Sequence, residues 1–132
     1  MVISKTPLRI SFFGGGSDLR EYYRRDYGAV LSTTIDKYIY VMVNQKFDDY
    51  IRVGYSRTEL THDIDEIQHN IIREALKIVG GLGKGLDIVY MADVMPQKYG
   101  TGLGVSSGIT VGVLRALYAL KKQEVTLERI AK

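Results

Sequence analysis

The chain has 132 residues, 45% of them hydrophobic and 25% charged, with a net charge of +3 and no cysteine. That balance fits a single globular domain, excludes disulfides and thiolate metal sites, and leaves the longest apolar runs far short of a membrane span. Basic residues are scattered, with Arg20, Arg24 and Arg25 in one small cluster and Lys121 and Lys122 in another, and the N-terminus lacks the layout of a signal peptide, so a cytoplasmic location with no nucleic-acid or membrane partner is expected.

Residues 8–13 read as a strand that runs into Gly14, Gly15 and Gly16, and residues 18–26 as a short helix or helical turn. Residues 29–35 and 38–44 are rich in β-branched and aromatic side chains and read as two strands, with a hairpin or bend at Asp36 and Lys37. Alternation over residues 50–55 predicts another strand. Residues 65–79 form the clearest amphipathic helix: Ile67, Ile71, Ala75 and Ile78 recur at helical spacing, Ile72, Leu76 and Val79 widen the stripe, and Gly80 and Gly81 end it. A strand over 86–92 follows, then Pro96, a glycine-rich turn, and a helix over 106–122 with apolar residues on most sides. Lys121 and Lys122 close it where the helix dipole favours cations. Thr126 reads as the N-cap of a last helix, too short by Lys132 to stand alone, so the chain is expected to be truncated near 125–132. Strands first, then strand and helix in alternation, predict an α+β fold with helices packed on one face of a mixed or mostly antiparallel sheet.

The segment Gly100-Thr101-Gly102-Leu103-Gly104-Val105-Ser106-Ser107-Gly108 carries the main functional signal. Glycines allow positive φ and close approach of another group. Successive N–H groups in such a loop form an anion-binding concavity, and the loop feeds a helix N-terminus that favours phosphate. The hydroxyls of Ser106 and Ser107 can bond phosphate oxygens or ligate Mg²⁺. The Gly-Lys-Ser/Thr ending of a Walker loop is missing, and the alternating glycines fit a dinucleotide fingerprint poorly. A glycine turn whose serines only cap the helix is the plain alternative.

Residues 96–108 resemble the nucleotide loop of the GHMP family of small-molecule kinases, and residues 7–19, Pro-Leu-Arg-Ile-Ser-Phe-Phe-Gly-Gly-Gly-Ser-Asp-Leu, resemble the family's first motif. Residues 28–41 and 71–76 are similar to the subgroup of D-glycero-D-manno-heptose phosphate kinases and related sugar kinases. The resemblance implies an N-terminal GHMP lobe, an α+β fold like one ribosomal-protein domain, spanning residues 1–132, with the C-terminal lobe absent. It implies ATP and Mg²⁺ as cofactors and phosphoryl transfer to a hydroxyl of a sugar or sugar phosphate.

Carried over by position, Gly100, Gly102, Leu103, Gly104, Ser106 and Ser107 would hold the nucleotide, with Ser106 also on the metal. Gly15, Gly16 and Asp18 would bind the acceptor, and Arg9 would act as a catalytic residue by stabilising the transferring phosphoryl group. Asp18 fits a turn role as well, and Arg9 a structural ion pair. Two departures stand out: Val105 replaces a usual serine, and Gln97, Lys98 and Tyr99 lengthen the loop. Lys98 fits a phosphate contact or a solvated loop lysine. The family's catalytic aspartate and acidic metal ligand would lie beyond Lys132, so this chain alone is expected to be inactive, and a surface left by the missing lobe could drive self-association. Asp36 fits a turn, His62 and His69 surface positions, and Tyr22 and Tyr23 core or rim packing. A non-sugar alcohol acceptor such as mevalonate or homoserine, and a non-catalytic nucleotide-binding or scaffolding module, are the alternative functions.

Overall fold

A computed structural model describes residues 1–82, 85–94 and 102–131, apart from the side chains of Asp18 and Ala131. In chain order its elements are β1 (Val2–Phe13), α1 (Arg20–Tyr23), β2 (Leu31–Gln45), β3 (Ile51–Gly54), β4 (Thr58–Thr61), α2 (Asn70–Val79), β5 (Leu86–Ala92), α3 (Val105–Leu120) and α4 (Leu127–Ala131), with 3-10 turns at Gly15–Asp18 and Ile64–Glu66. The described strands form one sheet in the order β1-β2-β5-β3-β4. It is mixed: β3 runs parallel to β5, and the other neighbours are antiparallel.

Strand alternation decides which face is covered. Leu8 on β1, Ile39, Val41 and Val43 on β2, Ile51 and Val53 on β3, and Leu86, Ile88 and Tyr90 on β5 are all buried. They form a single cluster with Ile72, Ala75, Leu76 and Val79 of α2 and Ile109, Val113, Leu114, Ala116 and Leu117 of α3. Each large aliphatic side chain fully buried in this layer contributes about 1.5–3 kcal/mol. The α+β architecture expected from the element order is therefore present, with the helices on one face of the sheet.

Three local readings change. The strands expected over 29–35 and 38–44 are one strand without a hairpin. Pro7 pairs with Tyr38 and Arg9 with Thr34, so the residues around Asp36 and Lys37 form a bulge opposite Leu8. Strand β1 accepts both halves of β2 as partners, and an extra stretch on one strand is absorbed as a bulge. Helix α2 begins at Asn70 instead of residue 65. The Asp65 N–H bonds to the Asp63 carboxylate at 3.0 Å and the Gln68 N–H to Glu59 Oε2 at 2.6 Å, so these amides are taken by side chains and not by a helical ladder. The buried stripe is consequently Ile72, Ala75, Leu76 and Val79, while Ile78 is 66% exposed. The short hairpin strand β4 was not anticipated.

At the far ends of the helices, Lys121 Nζ donates to the carbonyls of Val79 (3.1 Å) and Gly80 (2.9 Å). The cation expected to close α3 thus caps the C-terminus of α2, where helix carbonyls lack intrahelical donors. Thr126 caps α4 as expected, its Oγ1 accepting from the Arg129 N–H at 3.3 Å.

Candidate functional site

The two glycine motifs, far apart in sequence, meet along β1. The Arg9 N–H donates to the Leu103 carbonyl at 3.2 Å and the Ser11 N–H to the Gly102 carbonyl at 3.3 Å. The end of the 102–104 loop is therefore fastened to the same strand that runs on into Gly14. Gly102 and Gly104 have φ of 73° and 64°, so the loop reverses into α3 through left-handed backbone that glycine adopts without strain.

Gly104 is the N-cap of α3. It brings no side-chain cap, and the first turn carries no acidic residue. The N–H groups of Val105, Ser106 and Ser107 have no intrahelical acceptor, as at any helix start, and the helix dipole adds a partial positive charge there. The two serines differ in role. Ser107 Oγ donates to the Gly104 carbonyl at 2.9 Å, a local capping contact, whereas the Ser106 hydroxyl is on an exposed residue and its carbonyl accepts from Thr110 Oγ1 at 3.0 Å. Ser106 thus presents an exposed hydroxyl, a hard oxygen of the kind that Mg²⁺ takes. Val105 packs partly buried against the core, which accounts for an aliphatic residue at this point of the turn.

Arg9 stands beside this cradle. A Cβ placed on Gly104 would lie 3.2 Å from Arg9 Cγ and Nε and 3.2 Å from Ser107 Oγ. The arginine stem therefore passes directly against the positive end of α3, an arrangement that favours an anion between them. Gly100, Lys98 and the rest of 95–101 lie outside the described residues.

The first motif forms a tight turn. Gly14 has φ of 79°, and a Cβ there would lie 1.9 Å from the Ala29 carbonyl oxygen, so only glycine fits. Ser17 N–H donates to Gly14 O at 2.9 Å, and Ser17 Oγ lies 2.7 Å from Gly14 O and 3.1 Å from Ala29 O. Gly15 and Gly16 have no such packing reason. A Cβ on Gly15 would make only ordinary contact with Ser11, and one on Gly16 would meet nothing. Open space above those two backbones is what a ligand approaching the chain requires. The side chain of Asp18 lies outside the described residues. Tyr22 and Tyr23, expected in the core or at its rim, are exposed.

The sequence reading missed the spacing Gly104, Gly108, Gly112. A Cβ at Gly108 would come 2.7 Å from Ile39 Cδ1, and one at Gly112 2.9 Å from Val41 Cγ2. The recurrence of glycine every four residues was the available signal: one face of α3 is bare so that it can lie close on β1 and β2. Ser4 Oγ donates to the Gly112 carbonyl at 2.7 Å across this contact.

A second polar cluster lies where β3, β4 and α2 meet. His69, expected at the surface, is half-buried: its Nδ1 accepts from the Ile72 N–H at 3.4 Å, capping α2, and its Nε2 lies 3.2 Å from the Tyr90 hydroxyl. Tyr55 stacks on Tyr90 and bonds to Glu59 and Arg57. Burial holds the His69 imidazole below its ordinary value, with the Glu59 carboxylate opposing. Burial works to raise the Glu59 carboxyl, but bonds from Tyr55 and the Gln68 N–H and the charges of Arg57 and His69 hold it below its usual range. Because the folded state prefers neutral His69, its contribution to stability is complete above the unfolded histidine value of roughly 6.5 and falls away as pH drops from there toward the depressed folded value. His69→Gln is expected to flatten this part of the stability–pH curve, read by urea unfolding; an unchanged slope would remove His69 as its source. Among the described residues no group of three or more His, Asp or Glu could hold a metal, and no helix is long and apolar enough to cross a membrane.

No protein-family model matches the sequence, and no curated protein matches it. Solved structures do. The chain is similar to a D-glycero-D-manno-heptose 1-phosphate kinase from Bacteroides thetaiotaomicron, with TM-score 0.81, 22% identity, and coverage of 99% of this chain and 45% of that one. It is also similar to the Methanococcus jannaschii mevalonate kinase, with TM-score 0.75, 20% identity, and coverage of 98% and 43%. A third is the Streptococcus pneumoniae phosphomevalonate kinase in complex with phosphomevalonate and AMPPNP, with TM-score 0.68, 19% identity, and coverage of 96% and 39%. The chain has the fold of the N-terminal lobe of GHMP-family kinases and spans less than half the length of these proteins.

Proposed function

We propose that the chain is the nucleotide-binding part of a GHMP-type kinase that transfers the γ-phosphoryl group of ATP to a hydroxyl of a sugar or sugar phosphate. The observation that carries this reading is the meeting of the two glycine motifs on β1, with the Arg9 stem set against the bare N-terminus of α3. On this reading the N–H groups of Val105, Ser106 and Ser107 hold phosphate oxygens, and the Ser106 hydroxyl takes Mg²⁺ or a phosphate oxygen. Arg9 would place fixed positive charge beside the negative charge of the transferring phosphoryl group. Mg²⁺, when bound, would supply charge neutralisation on the phosphates. The Gly15–Gly16 turn, at the far end of the same strand, receives the acceptor. The AMPPNP complex of the phosphomevalonate kinase supports a nucleoside triphosphate ligand. The mevalonate kinase likeness keeps a non-sugar alcohol as the second acceptor class. A base for the acceptor hydroxyl is not assigned, and turnover by this chain alone is not expected.

Calorimetric titration of Mg-ATP into the chain is expected to give saturable binding that Ser106→Ala weakens about tenfold or more, the effect of losing one hydrogen bond to a charged group. Binding unchanged by that substitution would remove Ser106 from the site, and no saturable binding to the parent chain would count against the cradle.

A further inference from the structure

His69 stands where three parts of the chain meet, and both of its ring nitrogens are in use. It is the N-cap of α2. Nδ1 accepts from the Ile72 N–H at 3.4 Å, and Nε2 lies 3.2 Å from the Tyr90 hydroxyl on β5. The first contact decides the second. A ring nitrogen that accepts an amide proton carries none of its own, so a neutral imidazole here holds its proton on Nε2 and donates it to Tyr90. Tyr55, in the turn between β3 and β4, meets the imidazole at 78°, with ring centroids 4.8 Å apart, and its hydroxyl donates to Glu59 Oε1 on β4. The other oxygen of Glu59 accepts from the Gln68 N–H at 2.6 Å, one residue before His69. A closed chain of contacts therefore runs from α2 through His69 and Tyr55 to Glu59, and back to the segment that enters α2.

We propose that His69 is an acid-sensitive latch: neutral, it fastens the first turn of α2 to β5 and to the β3–β4 hairpin, and protonation releases that turn while the sheet stays folded. An imidazolium has two donors and no acceptor. Its new Nδ1 proton would face the Ile72 N–H, and two donors do not bond each other. Glu59 is the carboxylate whose charge reaches the ring, but its oxygens already serve Tyr55 and Gln68. Turning toward the imidazolium would free the Gln68 N–H, at the same entry to α2. The other charges nearby are engaged. Arg57 donates to the Tyr55 hydroxyl, Arg73 bonds to the Ile67 carbonyl and to Glu74, Asp65 pairs with Lys77 at 2.5 Å, and Glu66 accepts from Thr61. Burial, and to a lesser degree the charge of Arg57, favour the neutral ring, and burial also keeps the Tyr90 hydroxyl protonated. Release therefore belongs below the ordinary histidine value of roughly 6.5. It stays local because the rest of α2 is held by Ala75, Leu76 and Val79, which carry no titratable group.

The test is a pH series on the isotopically labelled chain from about pH 8 to about pH 5, a range that spans histidine titration. It is read by the ring nitrogen shifts of His69 and by amide exchange corrected to the intrinsic rate at each pH. At the upper end His69 is expected as the Nε2–H tautomer, with the Ile72 amide protected. Toward the lower end the ring gains its second proton, and protection at Ile72 and Gln68 falls about fivefold, the ratio that loss of one N-cap amounts to. The Ile88 amide on β5 keeps its protection. His69→Asn retains a cap acceptor but cannot titrate, and is expected to hold Ile72 protection level across the series. Four results would overturn the latch: an Nδ1–H tautomer at the upper end, a protonated His69 with Ile72 still protected, an equal fall in His69→Asn, or Ile72 and Ile88 losing protection together as in global unfolding.

Discussion

Gly112→Val is expected to destabilise the fold by about 2–3 kcal/mol, the range for forcing methyl groups into a packed interior. The space does not exist. Even a Cβ at residue 112 would sit 2.9 Å from Val41 Cγ2 and 3.2 Å from Thr6 Oγ1. Val41 is fully buried and, being β-branched, has little rotameric freedom with which to yield. Moving α3 outward would instead stretch the Ser4–Gly112 hydrogen bond, which is 2.7 Å long, and loosen the packing of α3 on the sheet. Helix propensity works the other way, since glycine in a helix interior costs about 1 kcal/mol relative to alanine. Gly112→Ala therefore separates the two effects and is expected to fall between parent and valine variant. Urea midpoints measure the series. A valine variant as stable as the parent would mean that α3 stands further from β1 and β2 than described.

Gly104→Asp should act chiefly on nucleotide binding, weakening it strongly while costing about 1–2 kcal/mol of stability. The left-handed φ of 64° at residue 104 costs an L-residue about 1–2 kcal/mol, least for Asn and Asp. The cap hydrogen bond of an extended N-cap aspartate does not form at that φ, the helix dipole returns only a few tenths of a kcal/mol, and the added Cβ would press on Arg9 and Ser107 at 3.2 Å. The same carboxylate would stand where the proposed phosphates bind. Two unit charges about 5 Å apart repel by roughly 3 kcal/mol at an effective dielectric near 20, so Mg-ATP affinity is expected to fall by about a hundredfold or more. Calorimetry for affinity and urea unfolding for stability read the two quantities separately. Retained affinity in a folded Gly104→Asp protein would place the phosphates away from the start of α3.

Where a single element carried its own periodicity, the sequence was enough: the strand over 86–92, the long apolar helix after the glycine turn, and the Thr126 cap all stand as read. What failed was decided by partners elsewhere in the chain. Residues 29–44 look like two strands because Asp36 and Lys37 interrupt the apolar pattern, and only pairing with β1 turns the interruption into a bulge. Residues 65–69 have helical spacing, but the carboxylates of Glu59 and Asp63 take their amides. The turn of the glycine loop into a helix was legible because positive φ at glycine and a helix start are local properties. Its union with the first motif was not, because it consists of two backbone hydrogen bonds from Arg9 and Ser11 that leave no mark on side-chain pattern. Gly108 looked like part of the phosphate loop, whereas it faces Ile39 and Leu8.

Those two backbone bonds also bear on how the chain avoids sticking to its neighbours. Strand β1 is the outermost strand on its side of the sheet, and a long unpaired edge is a template for adding further strands. By capping the amides of Arg9 and Ser11, the loop takes the second half of that edge out of circulation. In the remaining half, Lys5 is exposed and charged and Pro7 has no N–H to offer. The opposite margin is β4, only four residues long. The segment proposed to hold nucleotide therefore doubles as a guard against edge-to-edge aggregation, and any change that loosens it trades solubility as well as ligand binding.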